Sequence, residues 1–254
     1  MWLYPKILAH RGGGSLAPEN TLAALRCGLA HGFRAVEFDV MLSRDGVPVL
    51  MHDPHFGRTV RGTGNVFDTD AAELKAMDAG AWYGPLFAGE PVPTLEQAVH
   101  YCRQQHIWMN IEIKPAPGFE TQTGRAVAQL TARLFAAEIA AHVAGVNDAS
   151  LPLFSSFSSD ALRAAREVAP GIPRGYLVDV VPPDWRAQLH ALDAVALHTN
   201  HRNLNQSRTQ EIKAHDIGLL CYTVNTLERA REILDWGVDA FCTDRIDLIA
   251  PDFR

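Results

Sequence analysis

The stretch from Ala35 to Pro54 constrains the fold more than any other part of this chain. Its centre, Asp45-Gly46, lies between two apolar runs that contain β-branched residues, and this combination is the strongest short-range signal of a β-hairpin. If the turn has two residues, Arg44 pairs with Val47 across the ladder. A longer turn would shift the pairing by one residue, so the register depends on the turn that forms.

The two-residue turn would bring acidic and imidazole side chains together. It places Asp39 directly opposite His52, and Glu37 points to the same face because it lies two residues before Asp39. One interpretation is a solvated strand face that covers a buried apolar face. The other is a site for a hard cation, since Mg²⁺ and Ca²⁺ prefer oxygen ligands, whereas Zn²⁺ would require more histidine or cysteine.

Composition restricts the class of protein. The 254 residues are 47% hydrophobic and 20% charged, which suffices for one large domain with a full core. The formal net charge of −6 argues against general nucleic-acid binding, although it leaves room for a local basic pocket around one phosphate. The first ten residues are too short and too soon polar for a signal peptide, and no apolar run is long enough to span a bilayer. We therefore expect a cytoplasmic protein without a membrane partner.

The cysteines point to the same compartment. Cys27, Cys102, Cys221 and Cys242 form no CxxC pair and fall within apolar helical or strand patterns. Buried free thiols are therefore expected, and these are typical of a reducing environment.

The rest of the chain alternates between strand and helix patterns. Besides the strand that begins at Ala35, short apolar runs predict strands at 7–9, 108–114, 151–157, 174–178, 194–198, 219–224 and 240–243. Eight strands with intervening helices predict α/β architecture and a closed (β/α)8 TIM barrel in a single domain, residues 1–254. A doubly wound open sheet is the alternative. Val47–Met51 would be an antiparallel partner outside the count of eight, and a short helix is expected after the last strand.

The segment 55–93 interrupts this alternation. It is rich in glycine and lacks sustained periodicity, which predicts a small insertion after the hairpin. Loops of this length in compact domains are usually functional, often as lids. Its candidate pocket walls are Arg58, Arg61, Trp82, Tyr83 and Phe87. The alternative is that the aromatic residues pack the insertion itself.

Polar residues at the carboxyl ends of barrel strands form the candidate site, because active sites of such barrels lie there. These residues are His10, Arg11, Glu37, Asp39, Glu112, Lys114, Ser155, His198, Asn225 and Asp244. With Glu37 and Asp39, Glu112 would complete three carboxylates around a divalent cation. The alternative is a structural salt bridge between Glu112 and Lys114. Arg11 and Lys114 would supply positive charge for an anionic substrate.

Two histidines, His10 and His52, are expected to flank the metal ligands. An imidazole is suited to proton transfer near neutral pH, so both are candidate catalytic residues. His198 and His201 are interpreted as structural or close to the substrate rather than catalytic.

Several motifs follow one another in a specific order along the whole chain. They are Ala9-His10-Arg11-Gly12, Pro18-Glu19-Asn20-Thr21, Glu37-Phe38-Asp39-Val40, Asp45-Gly46, His52-Asp53, Asn110-Ile111-Glu112-Ile113-Lys114, Tyr222-Thr223-Val224-Asn225, Gly237-Val238-Asp239-Ala240 and Thr243-Asp244. This ordered set resembles the glycerophosphodiester phosphodiesterase family. The short chain without a signal peptide is most similar to the bacterial cytosolic members associated with glycerol-3-phosphate uptake.

The resemblance implies a TIM barrel with a small insertion after the hairpin. It also implies one divalent cation, Mg²⁺ or Ca²⁺ with Mn²⁺ as a further option, and a small-molecule glycerophosphodiester substrate hydrolysed to sn-glycerol 3-phosphate and an alcohol. By the same resemblance His10 is the general base and His52 the general acid. The nucleophile stays open between the glycerol 2-hydroxyl and water, and the oligomeric state between monomer and homodimer.

Three rival functions have distinct marks. A lysophospholipase D-like enzyme on the same barrel would show apolar surface around its mouth. A non-catalytic binding protein would have lost one of the two histidines or three carboxylates of the predicted centre, and all five are present, namely His10, Glu37, Asp39, His52 and Glu112. A sugar isomerase with a carboxylate-bound metal is the weakest rival, because it leaves the paired histidines and Arg11 without a role.

Overall fold

Eight parallel strands close into a barrel in the computed structural model, which describes residues 2–143 and 150–254. The barrel strands and one additional strand are β1 Ile7–Ala9, β2 Ala35–Leu42, β3 Pro48–Leu50, β4 Trp108–Ile113, β5 Leu153–Ser156, β6 Arg174–Val178, β7 Ala196–Asn200, β8 Gly218–Tyr222 and β9 Ala240–Thr243. Neighbouring strands pair in the order β1-β2-β4-β5-β6-β7-β8-β9, and β9 returns to β1. The predicted TIM barrel is confirmed, and the open sheet is excluded.

Helices cover the outside of the barrel and follow most of its strands. They are α1 Leu22–Ala30, α2 Ala71–Leu74, α3 Leu95–Gln104, α4 Glu120–Leu134, α5 Ala136–Val143, α6 Ser159–Val168, α7 Trp185–Leu192, α8 Gln206–Lys213 and α9 Leu227–Trp236. Thr94 and Gln97 form a capping box at the start of α3. Residues 245–254 form turns instead of the short helix expected there. No helix in the described ranges is long and apolar enough to cross a membrane.

Strand alternation divides the core into two parts. One set of side chains points outward and packs under the helices, as Val36 and Phe38 do. The other set points inward, where one end of the barrel is filled by Leu8, Ala35, Trp108, Leu153, Leu220, Ala240 and Cys242. Glu37 and Asp39 have the same parity as inward-facing Ala35, so they point into the barrel at its carboxyl end. Apolar side chains thus fill the opposite end of the barrel interior, and the polar side chains line its carboxyl end.

The hairpin forms, but its predicted register is wrong by one residue. Strand β3 is antiparallel to β2 and outside the eight barrel strands, as expected, but Met41 pairs with Val49. The loop has three residues, because the Ser43 N–H donates to the Val47 carbonyl at 3.0 Å and Gly46 has φ of +79°. Met51 therefore lies opposite Asp39, with its N–H 3.2 Å from the Asp39 carbonyl oxygen. His52 is one residue beyond that pairing.

A second, smaller core lies beside the hairpin. Its buried members come from β2, β3 and the segment that follows, and they are Met41, Val49, Met51, Val60, Val66, Leu74, Ala79 and Val92. The segment after the hairpin thus packs on the face of the hairpin that the barrel helices leave uncovered.

Cys102, Cys221 and Cys242 are buried and Cys27 is half-buried, and all four are free thiols.

Candidate active site

A cavity of about 200 Å³ opens at the carboxyl end of the barrel. The seven residues that were given a catalytic, metal-binding or substrate-binding role from sequence all line it, namely His10, Arg11, Glu37, Asp39, His52, Glu112 and Lys114. Of the other predicted strand-end residues, His198 lines it, whereas Ser155, Asn225 and Asp244 do not. They come from the ends of β1, β2 and β4 and from the segment after β3. Residues as far apart in the sequence as His10 and Lys114 are therefore brought together by the closure of the sheet.

Three carboxylates form the centre of this cavity. Asp39 pairs with Glu112 across neighbouring parallel strands, and Glu37 is two residues before Asp39 on the same inward face. One oxygen from each of the three lies within 4.8 Å of the others, and all three side chains are buried. Three such oxygens fit a hard divalent cation.

The charges around the carboxylates are unequal. Burial alone would raise the pKa of Asp39, but the Lys114 ammonium at 3.1 Å and the Arg11 guanidinium at 3.5 Å hold it well below its usual range. Burial and then the charge of Asp39 raise the pKa of Glu37 to about 7 and that of Glu112 to about 8. Ionised carboxylates are therefore costly here unless more positive charge is added. Within the described chain Glu37 Oε1 is buried without a hydrogen-bond partner, which also suits a cation.

Asn20 holds Asp39 in place from outside the strand. Its side-chain amide donates to Asp39 Oδ2 at 2.8 Å, and its carbonyl oxygen accepts from the Asp39 N–H at 3.0 Å. Asn20 has φ of +57°, a conformation that asparagine tolerates better than most residues. The helix cap is Thr21, whose hydroxyl accepts from the Ala24 N–H.

His10 is oriented by Asp244, which follows β9. His10 Nδ1 lies 2.6 Å from Asp244 Oδ1, and Asn225 donates to Asp244 Oδ2 at 2.9 Å. His10 Nε2 lies 3.7 Å from Glu37 Oε2. Burial lowers the pKa of His10, but the Asp244 hydrogen bond and the charge of Glu37 outweigh it, so the pKa is raised overall.

His52 is oriented by its neighbour Asp53, with 2.6 Å between Nδ1 and Asp53 Oδ1. Burial lowers its pKa, and the charges of Arg11 and Lys114 act in the same direction. The negative charge of Asp39 opposes them without reversing the result. Asp39 thus favours the imidazolium form of His52, but burial and the two cationic side chains outweigh it and the pKa is lowered overall.

Arg11 adopts a left-handed backbone conformation, with φ of +50°. This turns its backbone N–H toward Glu37 Oε2 at 3.1 Å, while its guanidinium donates to Glu19 at 2.7 Å. Lys114 donates to Asp39 at 3.1 Å and to Glu112 at 3.3 Å. The salt bridge between Glu112 and Lys114 thus exists, but it belongs to the wider cluster and is not an isolated structural pair.

Comparison with known proteins identifies the family. A sequence model of the glycerophosphoryl diester phosphodiesterase family matches residues 10–248. The chain belongs to this family. It is 31% identical over 244 residues to a glycerophosphodiester phosphodiesterase of Caldanaerobacter subterraneus subsp. tengcongensis, with 94% of this chain and 93% of the relative covered. The predicted enzyme class, a glycerophosphodiester phosphodiesterase and therefore a phosphoric diester hydrolase, is confirmed.

Solved structures agree with this assignment. An Oleispira antarctica phosphodiesterase in complex with its product sn-glycerol-3-phosphate has 36% identity and a TM-score of 0.85, covering 94% of this chain and 93% of that one. A glycerophosphodiester phosphodiesterase from Agrobacterium tumefaciens has 28% identity and a TM-score of 0.75, covering 96% and 97%. This phosphodiesterase therefore has the barrel of its relatives over nearly its full length.

Some residues around the site received no role from sequence. Asp53, Glu19 and Asn20 belong to the family motifs, and Asp244 was expected only as a polar strand end. The family motifs were the sequence signal that could have found these residues. The side chains that they contact could not be predicted, because those contacts join distant segments of the chain. The structure also explains one of the glycines after Arg11, because a side chain at Gly14 would collide with the backbone carbonyl of Asp244.

Other sequence candidates lie elsewhere in this phosphodiesterase. The five proposed pocket walls of the insertion do not line the cavity. Trp82 and Phe87 pack edge-on against Tyr83 instead, so the aromatic residues stabilise the insertion itself. His198 is buried in the cavity wall and packs closely over Gly175, where any added Cβ would lie 2.5 Å from the imidazole Nε2. His201 contacts Arg229.

Proposed function

We propose that this enzyme hydrolyses glycerophosphodiesters to sn-glycerol 3-phosphate and an alcohol, with a divalent cation held by Glu37, Asp39 and Glu112. The observation that carries the proposal is the placement of these three carboxylates in one cavity with two imidazoles, His10 and His52. The sn-glycerol-3-phosphate in the 36% identical Oleispira structure supports the same product.

The donor set indicates the class of cation. All three candidate ligands are carboxylates, and no cysteine contributes an atom to the cluster. Mg²⁺, Ca²⁺ or Mn²⁺ fits such oxygen ligands. When bound, the cation would polarise a phosphate oxygen as a Lewis acid.

The two cationic side chains complete the phosphate site. The Arg11 guanidinium offers a planar set of N–H donors and the Lys114 ammonium a mobile point charge, and both line the cavity. Preorganised donors of this kind stabilise charge that develops on phosphate oxygens in the transition state. Their contacts with Asp39 hold both groups near the carboxylate cluster before the substrate arrives.

We assign His10 as general base and His52 as general acid. Each imidazole has its Nδ1 engaged by an aspartate, Asp244 for His10 and Asp53 for His52, so Nε2 is the nitrogen that exchanges a proton with substrate. The pKa directions set by the protein's own side chains are opposite to this assignment, since the pKa of His10 is raised and that of His52 is lowered. Because the charge of Glu37 contributes to the shift of His10, a cation on Glu37 would weaken that contribution.

We propose glycerophosphodiesters as substrates rather than lysophospholipids because the cavity offers little exposed apolar surface. Among the described residues that line the cavity, Phe157 is the exposed large apolar side chain, with 47% of its surface accessible. A single ring provides little apolar surface for an acyl chain. Turnover of lysophosphatidylcholine comparable with that of glycerophosphocholine would instead support the lysophospholipase D-like alternative.

The proposal is tested by metal-dependent turnover. Activity on glycerophosphocholine, followed as glycerol 3-phosphate released, should disappear after thorough chelation and return with Mg²⁺, Mn²⁺ or Ca²⁺. Zn²⁺ added at the same concentration serves as a comparison, because the all-oxygen donor set favours hard cations. Full activity in the metal-free protein would contradict the role assigned to the three carboxylates.

A further inference from the structure

We propose that Arg58 is a positioning residue that holds His52 and Arg11 in one fixed arrangement. Arg58 lies in the segment after β3, outside the cavity lining, and belongs to none of the motifs that carry the family resemblance. The inference rests on the proposed roles of His52 and Arg11. It extends them by identifying the side chain that fixes the position of His52, on the leaving-group side of the site, relative to Arg11, on the phosphate side.

The Arg58 guanidinium joins two carboxylates with three hydrogen bonds. Its Nε donates to Asp53 Oδ2 at 2.5 Å. Its Nη1 and Nη2 donate to the two oxygens of Glu19 at 2.6 and 2.7 Å. Bidentate pairing of this kind fixes geometry as well as charge.

Each of these carboxylates uses its remaining capacity on a cavity residue. Asp53 Oδ1 lies 2.6 Å from His52 Nδ1. Glu19 Oε1 accepts from Arg11 Nη1 at 2.7 Å, and the Arg11 Nε lies 3.5 Å from Asp39. A continuous chain of contacts therefore runs from the imidazole through Arg58 to a metal-site carboxylate.

Removal of the guanidinium would leave both carboxylates with fewer fixed contacts. Glu19 is largely buried, with 13% of its side chain exposed, whereas the Arg58 side chain is 44% exposed. Of these contacts, Asp53 would keep only its hydrogen bond with the His52 imidazole. Its carboxylate would then be free to rotate about the bonds of the Asp53 side chain. The expected consequence is loss of orientation at His52 while the barrel stays intact, because Arg58 is at the surface.

A lysine cannot reproduce this arrangement. Its ammonium is a compact point charge, whereas the planar guanidinium reaches Asp53 and Glu19 at once. Arg58→Lys should therefore restore the charge without restoring the orientation. The matched control is Arg61→Gln, because Arg61 is an exposed arginine three residues further along the same segment.

The experiment compares two substrates with the same glycerophosphate group. On glycerophosphocholine, Arg58→Gln should lower kcat about 10- to 100-fold, the size typical for partners that orient active-site groups. On glycerol phosphate nitrophenyl ester, whose leaving group needs little protonation, kcat should fall much less, while KM rises for both substrates through Arg11. Arg58→Lys should resemble Arg58→Gln, and Arg61→Gln should resemble the unchanged enzyme.

Histidine ¹⁵N NMR separates this inference from the proposed function. Arg58→Gln should shift the His52 ring resonances and leave those of His10 in place, whichever proton-transfer role His52 has. If His52→Ala is equally impaired on both substrates, the acid role fails but the NMR shift still supports positioning by Arg58. Unchanged His52 resonances, full recovery with lysine, or a defect no larger than that of Arg61→Gln would overturn the inference.

Discussion

At the scale of single residues, the site is organised by carboxylates that hold the imidazoles. Asp244 holds His10 and Asp53 holds His52, and both distances are 2.6 Å. These aspartates come from opposite regions of the chain. The same arrangement therefore forms twice around one cavity, and each imidazole has its Nδ1 engaged by an aspartate.

The pairing of His10 with Asp244 predicts a non-additive defect. His10→Ala should lower kcat about 10²- to 10⁴-fold, as expected for loss of general acid–base catalysis. Asp244→Ala should cost about 10- to 100-fold, because it removes only the orientation of the ring. The double variant should be no slower than His10→Ala, since Asp244 acts through the imidazole. Steady-state kinetics of the three variants checks this, and simple multiplication of the two defects would contradict it.

His198 predicts a dependence of stability on pH. Burial lowers its pKa from 6.5 to about 3, so between these values the unfolded chain takes up a proton that the folded protein excludes. Stability should therefore fall as the pH drops through this window, by about 2 kcal/mol at pH 5 from this residue. Urea unfolding of His198→Gln should show a smaller loss between pH 7.5 and 5 than the unchanged protein.

The control for this titration is His190→Gln, because His190 is exposed on α7. Its loss of stability over the same pH range should match that of the unchanged protein. An identical pH dependence in His198→Gln and His190→Gln would show that the buried imidazole titrates normally.

At the scale of elements, the hairpin loop decides where β3 and the residues after it, Met51 and His52, lie. Ser43 and Asp45 make the three-residue loop through side-chain hydrogen bonds, and the Ala71 N–H donates to Asp45 Oδ1 at 2.9 Å. Gly46 completes the loop with a positive φ. The insertion thus helps to select the loop, and the loop sets the register of β3.

Gly46 should accordingly resist substitution. A left-handed conformation costs a residue with a Cβ roughly 1–2 kcal/mol, although no atom lies within 4 Å of a Cβ placed there. Gly46→Ala should lower the free energy of unfolding by about that amount, measured by urea denaturation. Gly84→Ala is the control, because its site is equally open and its φ of 168° is extended backbone. Equal stability of the two variants would contradict the strain argument.

At the scale of the whole molecule, the barrel concentrates negative charge at its mouth and apolar side chains at its other end. Glu37 and Glu112 have raised pKa values, about 7 and about 8, because they are buried beside Asp39. Such a cluster costs stability by itself and should be compensated by a bound cation.

Metal binding should therefore raise the thermal stability of the protein. At a free cation concentration about 100 times its Kd, the folded state gains about 2.7 kcal/mol, or roughly 5–10 °C in Tm for a chain of this size. Glu112→Gln should lose most of this increase, while its metal-free Tm stays equal or rises because one buried charge is gone. Calorimetry with and without Mg²⁺ checks both statements. The same metal-induced increase in Glu112→Gln would exclude Glu112 as a ligand.

From the sequence alone, the family, the eight strands and seven residues that line one cavity were predictable, because strand parity and motifs are local properties. Alternation along β2 and β4 already points Glu37, Asp39 and Glu112 in one direction. These patterns do not depend on how the segments pack.

The tertiary structure alone decided the hairpin register and the partners of the site residues. The register shifted by one residue because the loop is stabilised by Asp45 and a distant backbone N–H at Ala71. Asp244 reaches His10, and Arg58 reaches Glu19, across 234 and 39 residues of chain. Such contacts form only when the barrel closes and the insertion packs, so no local pattern in the sequence encodes them.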